Sequence, residues 1–249
     1  MITTEHLAKH YGRITAVQDL NLHIEAGEFF GFLGPNGAGK TTTIKMLVGL
    51  LKPSSGRAIV AGYDIQQEPL AAKRQIGFIP DRPFVYEKLS GREFLRFVAD
   101  LYGMEERPSL ARSEDFLELF ELTDWGDELI ESYSHGMRQK LVMSAALLHQ
   151  PRVLVVDEPM VGLDPKGARL VKRILRGLCD RGTTIFMSTH TLEVAEQMCD
   201  RIGIIQGGAL VALGTKEELR QLVQSEVSCL EDIFLQLTGG ADIEETIPF

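Results

Sequence analysis

The sequence predicts an α/β protein: a mostly parallel sheet, an antiparallel β subdomain at its N-terminal end, and a helical insertion in its middle. Three observations lead there. An apolar run at residues 29–33 passes through a glycine-rich turn into a helix-forming stretch at 41–50. Apolar strands at 153–156, 184–187 and 202–205 alternate with helical stretches at 168–178 and 192–198, the pattern of parallel strands covered on both faces. Between these halves, residues 90–149 carry helical periodicity throughout.

Taken in order, residues 2–8 and 20–24 alternate apolar and polar and are joined through Tyr11-Gly12-Arg13, a hairpin-like antiparallel pair. Pro53-Ser54-Ser55-Gly56 is a turn, followed by a strand at 58–61 and a second turn at Gly62-Tyr63-Asp64. Residues 76–79 form a core strand, stopped by Pro80 and Pro83. Ser90-Gly91-Arg92-Glu93 is a capping box ahead of Phe94, Leu95, Val98, Leu101 and Tyr102 at one-face helical spacing. A second helix is expected around 114–122, and a third after Ser134. At the C-terminal end, Thr215-Lys216-Glu217-Glu218 and Ser228-Cys229-Leu230-Glu231 are two further capping boxes. The latter leads Leu230, Ile233, Phe234 and Leu237, with Gly239 and Gly240 as the stop. These features divide the chain into a core of residues 1–83 and 150–214, a helical subdomain of 84–149, and a helical tail of 215–249.

A chain of 249 residues, 44% hydrophobic, can bury one full core with an insertion. Its net charge of −9 argues against a nucleic-acid-coating role, since that affinity comes from neutralising phosphates. No apolar run approaches the ~18 residues that span a bilayer, and the first residues lack a signal-peptide pattern. A soluble, intracellular protein is expected. Cys179, Cys199 and Cys229 are too far apart for a C-x-x-C pair, which predicts buried thiols of a reducing compartment.

The glycine-rich turn carries the chemistry. Gly34-Pro35-Asn36-Gly37-Ala38-Gly39-Lys40-Thr41-Thr42 fits G-x-x-x-x-G-K-[ST], a phosphate-binding loop. Its glycines let backbone N–H groups curl toward an anion. Lys40 suits the β- and γ-phosphates, the Thr41 hydroxyl suits Mg²⁺, and the following helix aims its positive end at the same place. Further on, Val153-Leu154-Val155-Val156-Asp157-Glu158-Pro159 is an apolar strand ending in two carboxylates. In phosphate-loop proteins such a strand is expected beside the loop's own strand, with Asp157 on the metal and Glu158 polarising the attacking water.

With these motifs and those that follow, in this order, the chain resembles the ATPase subunit of an ATP-binding cassette transporter over nearly its whole length. That resemblance implies a P-loop NTPase core, with ATP and Mg²⁺ as cofactors. Tyr11, preceding Ala16-Val17, is similar to the aromatic that stacks on adenine. Ser134-His135-Gly136-Met137 stands where the family has its LSGGQ signature, which contacts ATP held by a second subunit. Gly162-Leu163-Asp164-Pro165 resembles the D-loop, and His190 in Ser188-Thr189-His190 the switch histidine. The sequence departs from the family in the signature, where Tyr133, His135 and Met137 replace Leu, Gly and Gln. It departs again at Asp81, in the place of a Gln that contacts Mg²⁺ and senses the membrane partner. The shorter, charged Asp81 reaches less far toward the metal, and His135 adds a titratable ring.

The resemblance further implies a permease on a separate chain, docked near Phe84, Val85 and Tyr86, and attachment to the cytoplasmic face of the membrane through it. It also implies a second ATPase subunit, a homodimer rather than a heterodimer, and no nucleic-acid partner. The ending Leu230-Glu231-Asp232-Ile233-Phe234-Leu235 and the Tyr133–Met137 signature favour export over uptake. The alternative is a soluble cassette ATPase without a transport role, such as an iron–sulfur assembly factor.

Overall fold

The computed structural model describes residues 1–222 and 230–238. The chain opens with β1 (Ile2–Tyr11) and β2 (Ile14–Ile24), paired antiparallel with Ile2 opposite Ile24. Both strands run further than the alternation of their residues suggests. Irregularities between Thr4 and Leu7 and between Leu7 and Lys9 break the period of two. There, His6 and Asp19 take positive φ, 48° and 46°, and the His6 Nδ1 contacts Asp19 Oδ1 at 2.7 Å.

Next come β3 (Phe29–Leu33), α1 (Lys40–Leu47), β4 (Ser55–Val60), β5 (Tyr63–Asp64), α2 (Pro69–Arg74) and β6 (Ile76–Ile79). The insertion is α3 (Gly91–Leu101), α4 (Glu106–Leu119) and α5 (His135–Leu148). The second half is β7 (Val153–Asp157), α6 (Pro165–Asp180), β8 (Thr184–Thr189), α7 (Leu192–Met198), β9 (Arg201–Gln206) and β10 (Ala209–Gly214). The helices α8 (Lys216–Leu222) and α9 (Leu230–Leu237) follow. The Ser90 cap is present: its hydroxyl accepts from Glu93 N at 3.2 Å while the Glu93 carboxylate accepts from Ser90 N at 2.7 Å. Thr215 and Glu218 make the same reciprocal pair, at 3.2 and 2.8 Å. Ser228, Cys229, Gly239 and Gly240 lie outside the described residues, and so do the cap and stop expected there.

Two sheets result. The strands β2-β1-β4-β5 make the antiparallel subdomain. The main sheet has the order β10-β9-β3-β8-β7-β6, parallel except for the edge strand β10. One expectation is corrected here. The strand ending in Asp157 is not the neighbour of the loop strand, because β8 lies between them, hydrogen-bonded to both β3 and β7. All six residues of β8 are buried, as a central strand demands. The apolar strands look alike in sequence, so their order is set by the crossover connections instead.

Successive residues of β3 feed opposite cores. Phe29 and Leu33 pack with the helical insertion, α6, α7 and Leu230 and Ile233 of α9. Phe30 and Phe32 pack with α1 and the antiparallel subdomain. Gly31 sits where a Cβ would lie 2.7 Å from the Cys199 sulfur. Cys179 and Cys199 are free and buried. Among the described residues, no helix is long and apolar enough to cross a membrane.

Candidate functional site

Parallel strands deliver their C-terminal ends to one edge of the sheet, where ligands of such folds gather. Here β3 ends in the glycine loop, β7 in Asp157 with Glu158 following, and β8 in Ser188 and Thr189 with His190 following. They enclose a cavity of about 320 Å³ lined by Ala16, residues 35–42, Asp81, Asp157, Glu158 and His190.

The loop takes its shape because side chains do not fit at two places. Gly39 has φ 111°, and a Cβ there would lie 2.4 Å from the Ala16 carbonyl oxygen. A Cβ on Gly34 would lie equally close to the carbonyl of Ile205. The Lys40 ammonium is tucked back on its own loop, donating to the carbonyls of Gly34 and Pro35. Burial lowers its pKa, and the Glu158 and Asp157 carboxylates oppose that shift. The cation is therefore held partly desolvated at the base of a loop whose N–H groups favour an anion.

The acids are differently strained. Asp157 is almost fully buried and accepts a 3.3 Å hydrogen bond from the Thr41 hydroxyl. Burial raises its pKa, and the neighbouring Asp81 and Glu158 carboxylates raise it further. Crowded carboxylates beside a hydroxyl fit a hard divalent cation, which would remove the repulsion. No three His, Cys, Asp or Glu side chains among the described residues converge as a ligand group. A cation held by Thr41 and Asp157 would accordingly complete its shell with phosphate oxygens and water, as Mg²⁺ does.

Glu158 sits at φ 50°, a backbone region that costs an ordinary residue about 1 kcal/mol or more. Its carboxylate is tied on both oxygens. Oε1 accepts from the His190 backbone N at 2.9 Å and from its Nδ1 at 2.7 Å; Oε2 accepts from the Thr189 hydroxyl at 3.2 Å. A carboxylate acceptor places a proton on Nδ1. The strained backbone and these three donors aim Glu158 into the cavity.

The other sequence-predicted residues are placed as follows. Tyr11 is about half exposed at the end of the first hairpin, under the Lys9 ammonium, and is not among the lining residues. Val17 is fully buried beneath the loop, its Cγ2 facing Gly39. Ala16 takes the lining position that sequence reasoning did not assign, and Thr189 is an orienting group it missed.

A second cavity, about 430 Å³, is lined by Ser134, His135, Gly136, Met137, Lys140, Gly162, Leu163 and Asp164. Ser134 caps α5 by accepting from Met137 N at 3.3 Å, and Asp164 caps α6 by accepting from Gly167 N at 3.1 Å. The signature and D-loop segments thus share one surface of one chain. Ser134 and His135 are exposed. A third cleft of about 610 Å³ runs between the core and the helical insertion and includes Phe84, Phe94, Ile44 and Asp81. Phe84 is 82% exposed there, whereas Val85 packs on the core of the insertion.

A family model described as ABC transporter matches residues 17–161, and the chain belongs to that family, as an ATPase subunit of the cassette type. It is 38% identical over 241 residues to the linearmycin resistance ATP-binding protein of Bacillus subtilis (strain 168), covering 94% of this chain and 78% of that protein. A solved ATP-binding subunit of an ABC transporter superposes with a TM-score of 0.91 at 31% identity, covering 95% of this chain and 99% of that one. A dimeric bacterial ABC transporter cassette superposes at 0.80 with 25% identity, covering 86% and 98%.

Proposed function

We propose that this chain powers export through a permease carried on a separate chain, by ATP-driven pairing of two copies of itself. The reading rests on one observation above the others. The signature residues Ser134–Met137 are the open mouth of a cavity, set apart from the loop cavity of the same chain. In this reading, hydroxyl and backbone donors at the start of α5 would meet the phosphates of a mate, not their own. In this scheme the loop and Lys40 hold the phosphates, and Asp157 and Thr41, with Asp81 beside them, hold Mg²⁺. When bound, Mg²⁺ would neutralise charge building on the phosphates. Glu158 orients and deprotonates the attacking water, and His190 positions Glu158 through its Nδ1–H. Turnover requires one Glu158 oxygen to leave its present donors for that water.

Pairing follows from differential binding: the γ-phosphate is contacted from both sides only in the closed pair, so ATP favours it and hydrolysis releases it. The cleft holding Phe84 is an apolar groove opening next to Asp81, which supports its use as the permease seat. Membrane attachment would then be peripheral, on the cytoplasmic face. The relative named for linearmycin resistance supports export as the direction.

The test is Glu158→Gln with MgATP. A dimer by size-exclusion chromatography with turnover reduced about 10²–10⁴-fold is expected. Wild-type turnover in that variant would remove Glu158 from the mechanism. Failure to dimerise would remove the pairing. Recovery of the chain from membranes with a multi-span protein separates transport from a free-standing ATPase.

A further inference from the structure

A cavity of about 670 Å³ lies between α4 of the insertion and α6 of the core. It shares no lining residue with the loop cavity, the signature cavity or the cleft that holds Phe84. Its size suits a small molecule, and its lining is apolar with a few charged groups, as such pockets are. Leu170, Ile174 and Leu178 recur every fourth residue of α6 and form one apolar row of the wall. That row spans about 12 Å of helix. Phe116 and Leu119 supply the other wall from α4.

The charge here is the reverse of the chain's. The protein carries −9 overall, yet Arg112, Arg173 and Arg181 line this cavity against one carboxylate, Asp115. Three other cations of α6 are already engaged: Lys166 by Glu121, Lys172 by Gln197, and Arg176 by Asp180 and Asp200. Arg112 donates to the Leu148 carbonyl at 2.6 Å. The side chains of Arg173 and Arg181 are exposed and make no hydrogen bond or ion pair among the described residues.

Gly177 stands midway between those two arginines, on a row beside the apolar one. A glycine inside a helix is destabilising relative to alanine, and the fold does not ask for one here. Gly177 is not among the positive-φ residues. A Cβ on it would meet only Arg181 Nη1, at 3.5 Å, an ordinary van der Waals contact. The missing side chain leaves open the space between the guanidinium groups.

We propose that this cavity binds a soluble amphiphile that carries one carboxylate on an apolar body. The body lies along the Leu170–Leu178 row, and the carboxylate is paired by Arg173 and Arg181, whose planar donors suit it. The site goes beyond the pairing and transport proposed above and does not depend on them.

The experiment is isothermal titration calorimetry of the full chain with monomeric dodecanoate. Saturable one-to-one binding at about 10–100 µM is expected, the range that a ligand of about fourteen non-hydrogen atoms reaches in a pre-formed pocket. Arg173→Gln and Arg181→Gln together, at exposed positions, should weaken it about tenfold or more. Dodecyl maltoside, the same chain on a neutral head, should bind the native protein weaker by a similar factor. Gly177→Leu, filling the opening, should abolish binding; if that variant does not fold, the arginine pair and the neutral head decide. Absence of dodecanoate binding, equal affinity of the native and double-arginine variants, or equal affinity for the two heads would overturn the site. Sedimentation with phosphatidylglycerol vesicles but no binding of dodecanoate would overturn it too, making the patch a membrane contact. None of these readouts uses ATP, so their failure leaves the proposed ATPase cycle standing.

Discussion

The loop cavity and the signature cavity are built from the same kinds of group, yet they are finished to different degrees. The charges of the first are in tension: Lys40 is partly desolvated, Asp157 is crowded by two other carboxylates, and Glu158 is held on a strained backbone. In the second, the side-chain acceptors are satisfied locally, Ser134 by Met137 N and Asp164 by Gly167 N. One cavity stores unfavourable energy that a ligand can relieve; the other is comfortable as it stands. A site under tension selects its ligand, while a relaxed one waits to be completed by another surface.

The contrast can be broken most severely at the relaxed side. Removing the hydroxyl with Ser134→Ala should cut ATPase activity about 10²–10³-fold, the loss found for one preorganised donor to a developing charge. Binding of a fluorescent ATP analogue to the single chain should be retained. If Ser134→Ala weakened that binding as well, the two cavities would not be separate half-sites.

At the strained side the sign reverses, because function and stability oppose each other. Asp157 has its pKa raised in the folded chain, so ionising it costs stability as pH rises through the interval above its ordinary value of 3.8. Asp157→Asn should therefore raise the melting temperature of the nucleotide-free chain at pH 7. The extra stabilisation given by MgATP over ATP alone should vanish. A lower melting temperature would show that Asp157 stabilises the empty site.

A third expectation concerns a strained group outside both cavities. His149 stacks on Tyr102 at 3.7 Å, its Nε2 faces Ile76 O at 3.1 Å, and its Nδ1 has no partner. Burial pushes its pKa down to about 4, against which the Ile76 carbonyl works. A base with a depressed folded pKa contributes stability fully above its unfolded pKa of 6.5, and that stability is lost as pH falls toward 4. Urea midpoints should drop across this window, and His149→Phe should flatten the drop. Smallest of all, Ser90→Ala at the capping box should cost about 1 kcal/mol in denaturation, with ATP binding unchanged.

Much of the strained half was legible in the sequence, because a phosphate loop and a strand ending in acids need particular residue types at fixed spacing. The misses have physical causes. The helix α4 begins at Glu106, well before the expected 114, because its buried face uses Ser109 and Ser113. Their hydroxyls donate back to the carbonyls of Glu106 and Ser109, so an apolar pattern never forms. The short α2 buries only Ala72 and leaves no periodic trace. The edge strand β10 follows Gly207-Gly208, a dipeptide that makes hairpin turns and was the available signal. The position of β8 between β3 and β7 had no local signal, since one buried apolar strand looks like another. The cavity between α4 and α6 joins two segments distant in sequence, and only the fold brings it about.

Glu158 carries a last consequence. A glycine at that position would accept φ 50° without penalty, so a screen that rewards heat resistance alone should enrich Glu158→Gly. Such survivors would be robust and inert. Thermal endurance would be a misleading guide for improving this chain, because one of its strained residues is the one its chemistry uses.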